Sequence, residues 1–139
     1  MTTTINASPT NGLVQTADGS GVLKVQSNGV TTNALAWVNF NGTGTVAIRS
    51  SYNVSSITDN GTGDYTVNFA TALSDANYSV VGSNSPNAGV AYSAGLSICY
   101  SIAGNALAAP STSSVRVGTA GVVGGAFDST YISVAIFGN

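Results

Sequence analysis

Val54-Ser55-Ser56-Ile57-Thr58, then Asp59-Asn60-Gly61-Thr62-Gly63, then Asp64-Tyr65-Thr66-Val67-Asn68-Phe69: this central run decides the fold. Tyr65, Val67 and Phe69 fall on one side of an extended chain, Thr66 and Asn68 on the other. A period of two marks a strand with one face buried and one face wet. The Asp/Asn/Gly link supplies residues that tolerate the positive φ a tight reversal needs. The run therefore predicts an antiparallel hairpin.

The same grammar repeats outward. Leu35-Ala36-Trp37-Val38-Asn39-Phe40 alternates, Asn41-Gly42-Thr43-Gly44 turns, and Thr45-Val46-Ala47-Ile48-Arg49 returns. Val22 to Gln26 runs into Asn28-Gly29, another turn pair. Later strands are expected at Tyr78 to Val81, Leu96 to Ile102, Ser114 to Val117 and Tyr131 to Phe137. Good helix formers cluster only at Ala106-Leu107-Ala108-Ala109, and Pro110 stops them. Short strands separated by turn chemistry predict an all-β chain, an antiparallel, jelly-roll-like β-sandwich. The sandwich is expected over residues 34–139, after a short N-terminal arm or hairpin over 1–33. Residues 82–95 and 103–113 read as long loops. Phe40, Tyr65, Phe69 and Phe137 are expected in the core, and Trp37 in the core or at a subunit contact.

Composition closes off many functions. Only 6% of the 139 residues are charged, against about 25% in an ordinary soluble domain. Lys24, Arg49 and Arg116 face five Asp, for a net charge of -2, and His is absent. Three scattered cations do not neutralise a phosphate backbone, so no nucleic-acid partner is expected. No apolar run nears the ~18 residues of a membrane span, so no membrane insertion is expected. Met1 to Ser8 carry neither a basic region nor an apolar core, so a secretory signal is not expected. So little charge offers little repulsion against self-association.

Each chemical motif has a plainer explanation. Ala91-Tyr92-Ser93-Ala94-Gly95 looks like a degenerate nucleophile elbow, but a chain without His has no usual base for it. Asp59 and Asp64 flank the central turn, where two solvated carboxylates are expected to keep ordinary acidity and shape the turn. With Asn60 they form a minor calcium candidate that departs from the twelve-residue EF-hand pattern. One Cys and no His cannot build a zinc site, and Cys99 reads as a buried structural thiol. Gly-rich stretches at 42–44 and 118–125 precede no helix, so a phosphate cradle is unsupported. No catalytic residue, cofactor or metal ligand is expected. Tyr52, Tyr92 and Tyr100 lie in or beside probable turns, where a ring face and a hydroxyl suit sugar recognition.

Three stretches carry a resemblance. Ala36 to Arg49 followed by Val54 to Phe69 resembles the distal β-domain of bacteriophage tail-fibre proteins of the cyanophage kind. Ser113 to Val117 through Tyr131 to Phe137 is similar to the end of such chains, and Thr4 to Ser8 with Gly12 to Asp18 and Gly21 to Leu23 to a segment near their N-termini. The resemblance implies a virion structural protein, usually a homotrimer, without catalysis. It would act as a small tail fibre or receptor-binding tip. Its implied partners are other copies of itself, other virion proteins and a host cell-surface glycan. A sandwich with a short arm in place of a long shaft also fits the alternative, a capsid decoration or cement protein stabilising the phage head. The expected location is therefore the virion, on tail or capsid surface. Loops on a rigid sandwich usually carry recognition, so Asn84, Asn87 and Tyr92 are the expected receptor contacts.

Overall fold

A computed structural model of the chain describes residues 26–27, 30–31, 33–85, 94–98, 108–121 and 125–138. Ten strands run through them. They are β1 (Gln26–Ser27), β2 (Val30–Thr31), β3 (Ala36–Asn41), β4 (Ala47–Tyr52) and β5 (Val54–Gly61), followed by β6 (Asp64–Phe69), β7 (Ser79–Asn84), β8 (Ala94–Ile98), β9 (Ser114–Gly121) and β10 (Ile132–Phe137). No helix occurs among the described residues. β1 and β2 form a separate two-stranded ribbon with Ser27 opposite Val30, on either side of Asn28-Gly29. The rest of the arm expected over 1–33 lies almost wholly outside the described residues.

The other eight strands form two four-stranded sheets, ordered β4-β3-β10-β7 and β5-β6-β9-β8, with every pairing antiparallel. The sheets pack face to face as a β-sandwich, and alternation decides what enters the core. Ala36, Val38 and Phe40 of β3 and Ile132, Val134 and Ile136 of β10 point inward from the first sheet. Tyr65, Val67 and Phe69 of β6 meet them with Val115 and Val117 of β9. Each of the Val, Ile and Phe side chains contributes about 2 kcal/mol on leaving water. Phe40 and Tyr65 cross between the sheets edge to face, with centroids 5.3 Å apart.

The chain changes sheets between β4 and β5 through one residue, Asn53, at φ 53°. Asn visits this left-handed region more readily than most residues because its short amide bonds locally. Here its Oδ1 accepts the Thr71 N–H at 2.8 Å and its Nδ2 donates to the Leu35 carbonyl at 3.1 Å.

Several expectations need correction. Gly82-Ser83-Asn84 are strand, not loop: β7 continues to Asn84 because β10 offers a paired backbone as far as Ile132. Phe137 is not core. It follows Ile136 by one position, so its side chain faces outward and stays 37% exposed. Trp37 likewise lies on the outer face of β3. The expected strand at 96–102 begins two residues earlier, at Ala94, and its end lies outside the described residues.

The turn between β5 and β6 tests how tightly the ends are built. Gly63 has φ +67°, and a Cβ there would stand 2.5 Å from the Thr119 carbonyl oxygen and 2.9 Å from the Phe127 nitrogen. Gly44 has nearly the same φ, +63°, with open space around it. Gly44→Ala is expected to cost about 1 kcal/mol, the left-handed penalty alone. Gly63→Ala adds a backbone clash and is expected to cost about 3 kcal/mol or more. Urea unfolding of both variants measures the difference, and equal losses would mean the turn can move away from β9.

Candidate functional site

Of the three expected receptor contacts, only Asn84 lies among the described residues; Asn87 and Tyr92 lie outside them. Asn84 ends β7 half-buried, on the inward parity opposite Ile132. Its Nδ2 donates to the Ser129 hydroxyl at 2.9 Å. Its amide therefore helps to tie β7 to the segment that leads into β10. Tyr100 and Cys99 also lie outside the described residues.

The central hairpin acids differ from each other. Asp59 is exposed, and its Oδ1 accepts the Gly61 N–H at 2.9 Å, as a turn-forming Asp does. Asp64 was expected to be solvated beside it and is instead fully buried. Its cross-strand neighbours are Gly61 and Gly118, which leave room over the carboxylate. Arg116 fills that room, with Nε and Nη2 each 2.7 Å from one Asp64 oxygen. This two-pronged pair raises the guanidinium above its ordinary range, the hydrogen bond to Asp64 being the main cause. Asn60 donates to Asp64 Oδ1 and to the Thr66 hydroxyl. Of the calcium candidate's three residues, Asn60 and Asp64 are thus bonded to each other and Asp59 to the Gly61 N–H. No cluster of three or more potential metal ligands occurs among the described residues.

The outer face of the β5-β6-β9-β8 sheet continues in the same style. Asn68 Nδ2 donates to the Ser56 and Thr58 hydroxyls, at 3.1 and 2.9 Å. Side chains that bond across strands are fixed to the sheet.

One end of the sandwich holds a buried polar junction. The Tyr65 hydroxyl donates to Asp128 Oδ1 at 2.8 Å, with the Gly42 carbonyl 3.0 Å away as a second acceptor. The same Asp128 oxygen accepts the Gly63 N–H at 2.7 Å. Thr119 N–H bonds the Gly63 carbonyl, and Gly42 N–H bonds the Ser129 carbonyl. Burial first, and then the bond to Asp128, push the phenol well above its ordinary value.

The outer face of the β4-β3-β10-β7 sheet is built differently. Register places Tyr52, Trp37, Ala135 and Val81 in one row across all four strands. Tyr52, Trp37 and Val81 keep 43%, 38% and 54% of their surface exposed. The next row is Ser50, Asn39, Ser133 and Ser83. Beyond it, Arg49 lies over the Tyr131 ring at 4.3 Å. Because Ala135 is small, a shallow groove of about 430 Å³ opens between Trp37 and Val81 and reaches Asn39, Gly82 and Ser133. Parity in the sequence already turns Trp37 away from Val38 and Ala135 away from Val134. That the two residues meet depends on β3 pairing with β10, which no local pattern announces.

No family model, curated protein or solved structure matches the chain.

Two outcomes follow from the buried groups. Arg116→Ala removes both charge-assisted bonds to Asp64 and opens its carboxylate to water, and is expected to cost about 2–3 kcal/mol. Asp64→Asn leaves a partly solvated guanidinium and keeps an acceptor, so about 1–2 kcal/mol is expected. Thermal unfolding of both variants checks this order, and a larger loss for Asp64→Asn would contradict it. The raised Tyr65 pKa sets the second. Its stabilisation is full below about pH 10, where an unfolded tyrosine is still protonated, and is lost as the pH climbs toward the folded value. Between about pH 9 and 11 the melting temperature should fall more steeply for the wild type than for Tyr65→Phe. Parallel slopes would show that Tyr65 titrates alike in both states.

Proposed function

We propose that the chain is a bacteriophage virion structural protein, a small tail-fibre or receptor-binding tip that recognises the host surface without catalysis. The observation that carries it is the division of labour on the sandwich. Buried Asp64 and half-buried Asp128 serve Arg116, Tyr65 and a turn, while an aromatic row on the other sheet points outward. A rigid scaffold with an exposed aromatic sheet face suits binding more than turnover. The likeness of residues 35–69 and 113–137 to phage fibre ends supports the virion assignment. Presented as a homotrimer, weak sites gain avidity of about 10²–10⁴.

Capsid decoration is the second reading. It is favoured by the 6% charge content, which suits a subunit packed at high density on a shell.

Immunogold labelling of virions of the encoding phage, with antibody to this chain, separates the two. Label at the tail tip is expected. Label spread over the head would replace the tip assignment with decoration, and virions without label would overturn both.

A further inference from the structure

We propose that the groove on the outer face of the β4-β3-β10-β7 sheet binds a neutral pyranose sugar, its ring stacked on Trp37 and its hydroxyls met by Asn39 and Ser133. The case begins with shape. Trp37 and Val81 stand on either side of Ala135 in a single cross-strand row. Adjacent strands are about 4.8 Å apart, so the two walls rise roughly 10 Å from each other over a floor of one methyl group. A six-membered ring enters such a slot with its C–H face against the indole.

The polar edge is in the right place and already oriented. The Asn39 and Ser133 row lies two residues along the strands from Trp37, about 7 Å away. A ring on Trp37 therefore carries its rim hydroxyls toward that row. Asn39 Nδ2 donates to Ser133 Oγ at 2.8 Å and lies 3.5 Å from the Ile132 carbonyl oxygen. The amide is thereby fixed, leaving its Oδ1 as an acceptor. Ser133 Oγ, accepting from Asn39, keeps its own hydrogen to donate. One acceptor and one donor side by side match the paired hydroxyls of a sugar, and no reorganisation is needed on binding.

Charge selects among occupants. No Asp, Lys or Arg lines the groove. Arg49 is the cation of this sheet face, and it lies over Tyr131 beyond the polar row. An anionic ligand thus has no partner at Trp37. A purely apolar ligand would bury Ser50, Asn39, Ser133 and Ser83 with nothing to pair them, and each polar group left unpaired is costly. A polyol with one apolar face satisfies both rows. This rests on the host-surface reading only for the source of the sugar.

Trp37 is the one tryptophan of the chain, so its emission reports on the groove directly. The purified chain is titrated with methyl pyranosides of glucose, galactose, mannose and N-acetylglucosamine, and with cellotetraose and maltotetraose. At least one is expected to give a saturable emission shift, with a dissociation constant on the order of 1 mM. Ala135→Leu, which fills the slot from the solvent side, is expected to abolish the shift. Asn39→Ala is expected to weaken it about tenfold and serves if Ala135→Leu does not fold. Emission unmoved by every sugar up to about 50 mM overturns the proposal. So does sedimentation showing an oligomer in which acrylamide does not reach Trp37 and which Ala135→Leu dissociates, because the face is then a contact between copies. Sugar binding with gold label on the head keeps the groove and removes the tip assignment. Tail label without sugar binding does the reverse.

Discussion

A tyrosine hydroxyl inside a sandwich must find a partner, and the way Tyr65 finds one organises the molecule. Its ring belongs to the core of one sheet, and its oxygen reaches the turn of the other at Gly42. A Cβ at Gly42 would stand 2.5 Å from that oxygen, so glycine is what lets the turn come this close. Asp128 then holds the phenol and the Gly63 N–H with the same oxygen. Four separate stretches of chain meet there: the β3–β4 turn, the β5–β6 turn, β6 itself and the segment before β10. An unpaired buried hydroxyl would cost about 1–3 kcal/mol, so the demand of one polar atom fixes how the two sheets meet at this end.

With the interior settled in this way, the two outer faces are free to differ. On the β5-β6-β9-β8 face the side chains answer each other: Asn68 with Ser56 and Thr58, Asn60 with Thr66, Arg116 with Asp64. On the β4-β3-β10-β7 face a fixed amide–hydroxyl pair stands beside an aromatic row that answers to solvent. A face whose hydrogen bonds are made internally has little to offer a ligand. This contrast, more than any single residue, is what distinguishes the two outer faces.

Much of this was legible in the sequence, and the gaps have physical reasons. Alternation at Ala36 to Phe40 and at Tyr65 to Phe69 identified the inward faces, since a period of two is a local property. The same parity puts Phe137 outside, but its size suggested core. Gly82-Ser83-Asn84 carry no strand propensity of their own and are strand only because β10 pairs with them. Asp64 lay beside a turn and looked solvated. Its burial comes from Arg116, far along the chain, and only the β6–β9 register brings the two together. The candidate site has the same character. Trp37 and Asn39 are adjacent in parity and readable, whereas Ala135, Ser133 and Val81 join them only through long-range pairing. A general rule about loops points to Asn84, Asn87 and Tyr92, of which Asn84 is strand, and a sheet face has no place in that rule.

The one-residue corner at Asn53 bears on the order in which the chain assembles. Because it joins the β3–β4 and β5–β6 hairpins without slack, residues 36–69 make their own pairings over short separations and form early. β3 remains incomplete at that stage. Its other neighbour is β10, reached across 93 residues in the Asn39–Ile132 contact. During synthesis the stripe of Ala36, Val38 and Phe40 therefore waits, half-covered, until β10 has left the ribosome. The strand that ends the sandwich is also the one that shields its first-made half from other nascent chains.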